Sequence, residues 1–161
     1  MPEIIVSNTS PIFYLHRLGL LGILHELYGA ITVPEAVKHE LDQGSVKGED
    51  VPRLEEHPWI HILEVTPPEY LDLVVDLGRG ESEVLAIAAK HPSALLILDD
   101  RLARRIADIQ GFRLTGTAGV LLRAKERGII PALKPVLERL VSLNFRLKPD
   151  LLATILGIAG E

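Results

Sequence analysis

Two carboxylates side by side at the end of an apolar run are the strongest chemical signal in this chain. Ala94 to Leu98 is unbroken and apolar and stops on Asp99 and Asp100, as suits a strand buried on both faces of a parallel sheet. Open α/β sheets bind their ligands where such a strand gives way to a helix. Adjacent carboxylates repel, so a pair held close needs a cation, a proton or an arginine to relieve it. Capping of the following helix explains one aspartate and leaves the other over. Other segments offer further oxygens: Asn8 and Ser10 in Ser7-Asn-Thr-Ser-Pro11, Glu40 in Pro34-Glu-Ala-Val-Lys-His-Glu-Leu41, Glu81 in Gly78-Arg-Gly-Glu-Ser-Glu83 and Thr117 in Thr115-Gly-Thr-Ala-Gly119.

Each of these has an ordinary explanation to set beside a chemical one. Asn8 and Ser10 are common helix caps. Glu35 and at least one of Glu81 and Glu83 are accounted for by the helix dipole. Glu40 is expected near a helix's far end, where the dipole disfavours it, so it is a better functional candidate than Glu35. The small-residue turn around Thr117 exposes amides and hydroxyls that can hold an anion or a metal's water, or it is simply a tight connection. Hard oxygen donors without cysteine favour Mg²⁺ or Mn²⁺, ions that suit phosphodiester chemistry by activating water and stabilising charge on phosphate and leaving oxygen. The six histidines show no spacing that makes a metal triad and are expected to be structural or on the surface.

The elements that must position these oxygens follow from the pattern. Strands are expected at 3–6, 30–33, 94–98 and 112–115, with 60–65 as a half-exposed edge strand. Proline at the first helical position marks helices at 11–28 and 34–41, and 42–58 reads as a loop with one helical turn near 53–56. A helix opened by Pro67 and Pro68 should run to Leu77, and an all-round apolar helix over 84–89 should reach solvent only in its first turn. Leu102, Ile106 and Ile109 predict the buried stripe of an arginine-rich helix. Three further helices are expected, from Thr115–Gly119 to Gly128, over 132–142 and over 149–158. Together these predict a mainly parallel, three-layer α/β/α fold that gathers Asn8, Glu40, Glu81, Asp99 and Asp100 at one sheet edge.

Length and composition set the bounds. At 161 residues, 47% hydrophobic and 4% aromatic, the chain is expected to be one domain with an aliphatic core. Absence of cysteine removes disulfides, thiolate metal sites and a cysteine nucleophile. No signal-like opening or membrane-length apolar run is evident, so a cytoplasmic location is expected. The net charge of −5 divides unevenly: residues 1–97 carry 6 Lys and Arg against 15 Asp and Glu, and 98–161 carry 11 against 7. A basic half beside clustered acids suits a phosphate backbone held near metal ions, or two halves that attract each other across the fold.

Five segments taken in order resemble the PIN-domain nucleases that include VapC-type toxins: Ile5-Val-Ser-Asn-Thr-Ser-Pro11, Val33-Pro-Glu-Ala-Val-Lys-His-Glu-Leu41, Gly80-Glu-Ser-Glu-Val-Leu-Ala86, Leu96-Ile-Leu-Asp-Asp-Arg101 and Thr115-Gly-Thr-Ala-Gly-Val-Leu121. The set is most similar to a prokaryotic branch that opens on D-T-S-P and carries L-I-D-D-R. The resemblance covers nearly the whole chain, read as one PIN-like domain over 1–161. It implies a Mg²⁺- or Mn²⁺-dependent ribonuclease, with Glu40, Glu81 and Asp100 as metal ligands, Asp99 as a second candidate from the same segment and Ser10 orienting the first position. It also implies RNA as substrate, an antitoxin protein as partner and a homodimer, to which the leucines of the last two helices are suited. The departure is Asn8, which stands where the family opens with aspartate. It keeps an oxygen ligand and removes a charge, which implies weaker metal binding. The alternative is therefore a catalytically weakened PIN-fold module that binds RNA or protein without cleavage. A phosphate-accepting receiver domain would carry its acid pair after the first strand, and a haloacid-type phosphatase would need D-x-D-x-T where Ser7-Asn-Thr9 stands. Both rank far below.

Overall fold

The apolar runs form five strands in the computed structural model, which describes residues 3–161: β1 (Ile5–Ser7), β2 (Ile31–Pro34), β3 (Ile60–Leu63), β4 (Leu95–Ile97) and β5 (Arg113–Thr115). They make one sheet in the order β3-β2-β1-β4-β5, parallel at every pairing. Eight helices separate and cover them: α1 (Thr9–Arg17), α2 (Ile23–Tyr28), α3 (Glu35–Val46), α4 (Arg79–Lys90), α5 (Arg101–Ile109), α6 (Thr117–Glu126), α7 (Lys134–Ser142) and α8 (Pro149–Ile158). The expected three-layer α/β/α architecture is the one observed.

Strand alternation makes the layers. Ile5 and Ile97 point into a large cluster with residues of α1, α2, α3, α6, α7 and α8, whereas their neighbours Val6 and Leu96 point into a smaller one with α4 and α5. Successive side chains leave a strand on opposite faces, so β1 and β4 serve both cores. Apart from half-buried Leu95, their side chains are entirely or almost entirely buried, which explains why β4 reads as a continuous apolar run. β3 sits at the edge with Ile62 43% and Leu63 40% exposed, as its pattern predicts.

Several element boundaries differ from the sequence reading. The helix expected over 11–28 is two, because Gly19 turns left-handed at φ 73°. Its amide bonds to the His16 carbonyl at 2.9 Å and that of Leu20 to Leu15 at 2.8 Å, a Schellman stop that ends α1. In contrast, α3 runs on to Val46, five residues into the region expected to be loop, whose one helical turn is found at Leu54–Glu56. Lys38–Asp42 at 2.6 Å and Gln43–His39 at 3.0 Å brace its outer face at the i, i+4 spacing. Gly44, which lowers helix propensity, is buried in the last turn of α3, where an added Cβ would lie 2.7 Å from Oε2 of Glu49 and 3.3 Å from Cγ1 of Val51.

The helix expected from Pro67 is only a 3₁₀ segment, Glu69–Leu73. Leu71 within it, and Val74 and Leu77 in the irregular stretch that follows, meet the smaller core. The buried face of α5 is Ala103 and Ala107, flanked by half-buried Leu102 and Ile106, and Ile109 is 79% exposed. α4 is buried from Ser82 to Ala88, but Ala89 and Lys90 at its far end also reach solvent.

Candidate metal centre at the switch point

From β1 the chain crosses to β2 and β3 on one side, and later to β4 and β5 on the other. The change of direction opens a crevice at the carboxyl ends of β1 and β4, where such sheets bind ligands. Ser7 pairs with Ile97, and the Asn8 amide donates to the Ile97 carbonyl at 3.1 Å. Asn8 and the Asp99-Asp100 pair therefore leave adjacent strands at the same level. α3 and α4, which pack against each other, bring Glu40, Gly80 and Glu81 to the same place.

Asn8 is the centre of this group. Its residue is 3% exposed, and its Oδ1 has no hydrogen-bond partner, alone among buried side-chain polar atoms of the described residues. A Cβ added to Gly80 would lie 2.7 Å from that oxygen and 3.0 Å from Oε1 of Glu40. Two acceptors thus converge on a spot kept open by glycine. Glu40 is held there from both sides: the Gly80 amide donates to its Oε1 at 3.3 Å, and the Thr9 hydroxyl donates to its Oε2.

Glu81, half-buried at the start of α4, has its pKa raised. Burial is the main cause, and the negative charges of Glu40 and Asp100 add to it, against partial relief from its own amide and from Asn8. Glu81 therefore feels the charges of both other carboxylates although the three come from three helical segments. Glu83, two residues further on, does something else. Its oxygens take the Ala36 amide at 3.2 Å and the Arg79 guanidinium at 2.7 Å, so it anchors α4 to the start of α3.

The two adjacent aspartates divide their work. Asp100 caps α5, accepting from the Ala103 amide at 2.9 Å. Asp99 turns the other way and accepts three hydrogen bonds: Ser10 Oγ at 2.8 Å, the Thr117 amide at 2.8 Å and Thr117 Oγ1 at 2.6 Å. It ties together the segments that follow β1, β4 and β5. The Ser10 hydroxyl is thus directed to Asp99, and the amide and hydroxyl of fully buried Thr117 face Asp99 as well. Beside them, Arg104 donates to the Leu98 carbonyl at 2.7 Å.

The donor set fits a hard divalent cation. It offers an unpartnered buried amide oxygen and three carboxylates, of which Glu40 and Asp100 raise the cost of ionising Glu81, and it contains no soft ligand. Among the described residues no three acidic or histidine side chains already form a metal-holding group; what joins these oxygens is the approach of Asn8 and Glu40 at Gly80 and the field of Glu40 and Asp100 at Glu81. Thr9, Gly80 and Arg104 were not singled out from the sequence. Thr9 and Gly80 lie inside segments that were, and only their contacts with Glu40 distinguish them.

A family model described as DUF3368, PIN domain, matches residues 4–161. The chain is also similar to Protein HHLF1 of human cytomegalovirus (strain AD169), with 34% identity over 103 residues, 61% of this chain. That match covers 13% of the viral protein's length. Among the described residues no helix is long and apolar enough to cross a membrane.

Proposed function

The chain belongs to the PIN-domain family, a nuclease-type fold, and on that premise we propose that it hydrolyses RNA with Mg²⁺ or Mn²⁺ held by Glu40, Glu81, Asp100 and the amide oxygen of Asn8. The observation that carries this reading is the buried, unpartnered Asn8 Oδ1. An acceptor left so costs about 1–3 kcal/mol, and a native fold keeps few of them without a use. A cation would satisfy it and relieve the repulsion at Glu81.

When bound, the ion would activate water and stabilise charge developing on the phosphate. The chain's own residues prepare the place. Thr9 and the Gly80 amide fix the Glu40 carboxylate, so that it presents one orientation and not a rotamer ensemble. Asp99, with Ser10 and Thr117, locks the ends of three strands and so sets where Asp100 stands. Asp99 is in this reading a positioning residue, and Ser10 and Thr117 act through it. Burial of Asn8 and half-burial of Glu81 limit competing water around the oxygens.

Asn8 favours one other reading. It contributes an oxygen without charge, so the centre has three carboxylates clear of Asp99 and holds a cation less firmly than one with an aspartate there. A weakened PIN-fold module that binds RNA or a protein is the second proposal. A role as the toxin of a toxin–antitoxin pair in the cytoplasm, working as a homodimer, belongs to the first. It draws support from the family and from apolar residues left exposed on α7 and α8, Val141 at 42%, Leu151 at 50% and Ile158 at 62%.

The test is RNA cleavage by purified protein in Mn²⁺ and in EDTA, beside Asn8→Asp and Asp100→Asn. Cleavage by wild type in Mn²⁺ alone, lost in Asp100→Asn, is expected. Cleavage by Asn8→Asp only would establish the weakened module. Cleavage by Asp100→Asn at the wild-type rate would place the chemistry elsewhere.

A further inference from the structure

We infer that the RNA strand reaches the centre along α5, with Arg101 and Arg105 gripping phosphates on one side of the cleaved bond. This rests on the ribonuclease reading and adds to it the surface that holds the substrate.

Two cavities flank the centre, and they differ in charge. The first, about 390 Å³, includes Glu40 on its wall together with Glu35, Glu64, Glu83, Arg79 and His39. Four carboxylates there face one arginine, and that arginine is already bound to Glu83 at 2.7 Å. A phosphate entering it would meet uncompensated negative charge.

The second, about 840 Å³, includes Asp100 on its wall together with Arg101, Arg104, Arg105, Asp76 and Asp108. Here three guanidinium groups stand against three carboxylates, so this wall carries no net charge where the first is strongly negative, and an ion at Asp100 would tip it positive. Arg101 and Arg105 are exposed, and among the described residues neither forms an ion pair with Asp76, Asp108 or any other carboxylate. Arg104 is half-buried and bound to the Leu98 carbonyl, so it serves the fold.

Helix geometry makes the two free arginines a pair. Four residues apart, they lie on one face of α5 and about 6 Å apart along its axis. Their guanidinium forks suit phosphate oxygens. α5 begins at Asp100, so the pair extends outward from the centre itself and the track is continuous with it. Exposed arginines that an acidic neighbourhood leaves unpaired, beside a cavity whose wall includes Asp100, fit a polyanion better than they fit a solvated helix face.

The experiment measures binding without cleavage. Fluorescence anisotropy follows a labelled single-stranded oligouridylate of about twelve nucleotides in EDTA, across a salt series. The proteins are wild type, Arg101→Ala/Arg105→Ala, Arg101→Lys/Arg105→Lys and, as a control, Arg146→Ala, an exposed arginine that lines neither cavity. The double alanine variant is expected to bind about tenfold or more weakly at about 0.1 M salt. Its slope of log K against log salt should be shallower by about 1.4, the share of two phosphate contacts on a single strand. The lysine variant should keep the wild-type slope, which a loss of folding would not allow, and Arg146→Ala should match wild type. Equal binding and slope in the double alanine variant overturns the track and leaves the ribonuclease reading standing. An equal loss in Arg146→Ala also overturns it, since the effect would then be one of total charge. A wild-type protein that neither binds this RNA nor cleaves RNA in Mn²⁺ overturns both.

Discussion

Glu81 is the residue whose ionisation the fold works against. Burial and the charges of Glu40 and Asp100 raise its pKa above the ordinary 4.5. Such an acid binds more protons folded than unfolded between those two values. Its contribution leaves stability intact below the unfolded pKa, and stability falls as pH rises through 4.5 to the raised value and stays lower above it. Glu81→Gln removes that penalty. Because the side chain is half-exposed, the gain is below about 1 kcal/mol, so metal-free protein at pH 7 should melt about 1–3 °C higher. At pH 4 the difference should vanish. Paired thermal melts at the two pH values check this, and in the same instrument the stabilisation that Mn²⁺ gives wild type should be absent from the variant. Glu40 was legible in the sequence for a reason the structure corrects. It stands mid-way along a longer helix, so the dipole has little to say about it, and what marks it is the pair of donors that hold it.

At the scale of elements, α4 contributes less by what it carries than by what it omits. Gly80 sits in its first turn, where alanine would favour the helix by up to about 1 kcal/mol. Glycine stands there because a Cβ would lie 2.7 Å from Asn8 Oδ1 and 3.0 Å from Glu40 Oε1. Gly80→Ala should therefore fold with nearly wild-type stability, as helix propensity offsets crowding, yet bind Mn²⁺ at least about tenfold more weakly because the methyl occupies the convergence point of the oxygens. Titration calorimetry beside a thermal melt separates the two effects. Unchanged affinity would mean that an ion at this centre does not use Asn8 and Glu40 together. The elements themselves were readable where one physical signal dominated. Strands of unbroken apolar residues and the last two helices fell within a residue or two of their observed bounds, and proline marked where α1 and α3 begin but not where they end. The boundaries that could not be read depended on contacts. The extension of α3 is braced by side-chain pairs, and Gly44 in its last turn reads as a breaker until Glu49 and Val51 are seen beside it. Likewise Ile109 fits a helical stripe on paper, but α5 meets the core through Ala103 and Ala107, small residues that let the helix lie close to the sheet.

At the scale of the molecule, the sequence indicates which segments meet, since parallel strands joined by helices leave a switch point and Asn8, Glu81 and the Asp99-Asp100 pair lie at strand and helix ends around it. It does not indicate how the larger helical layer is fastened. There the side chain of Glu161 returns past α8 to the start of α7. Its carboxylate accepts from the Leu133 amide at 2.7 Å and the Lys134 amide at 3.1 Å, with Lys125 at 3.9 Å. No capping residue precedes α7 in sequence, because Leu133 occupies that position, so the cap is supplied from 28 residues away. These two amides, followed by the Lys125 charge, lower the glutamate's pKa. For an acid shifted downward, the stabilisation is present above the unfolded pKa and is lost as pH falls through the folded one. Glu161→Gln should therefore unfold at lower urea concentration than wild type at pH 7, and the two midpoints should converge as pH falls below the usual glutamate range. The m-value should not change, since the buried surface is the same. A gap that persisted undiminished in acid would show that shape, and not charge, fastens α7. Metal affinity and RNA binding should be untouched at either outcome, because the cap belongs to the layer of helices behind the sheet while the oxygens of Asn8, Glu40, Glu81 and Asp100 stand at its carboxyl edge.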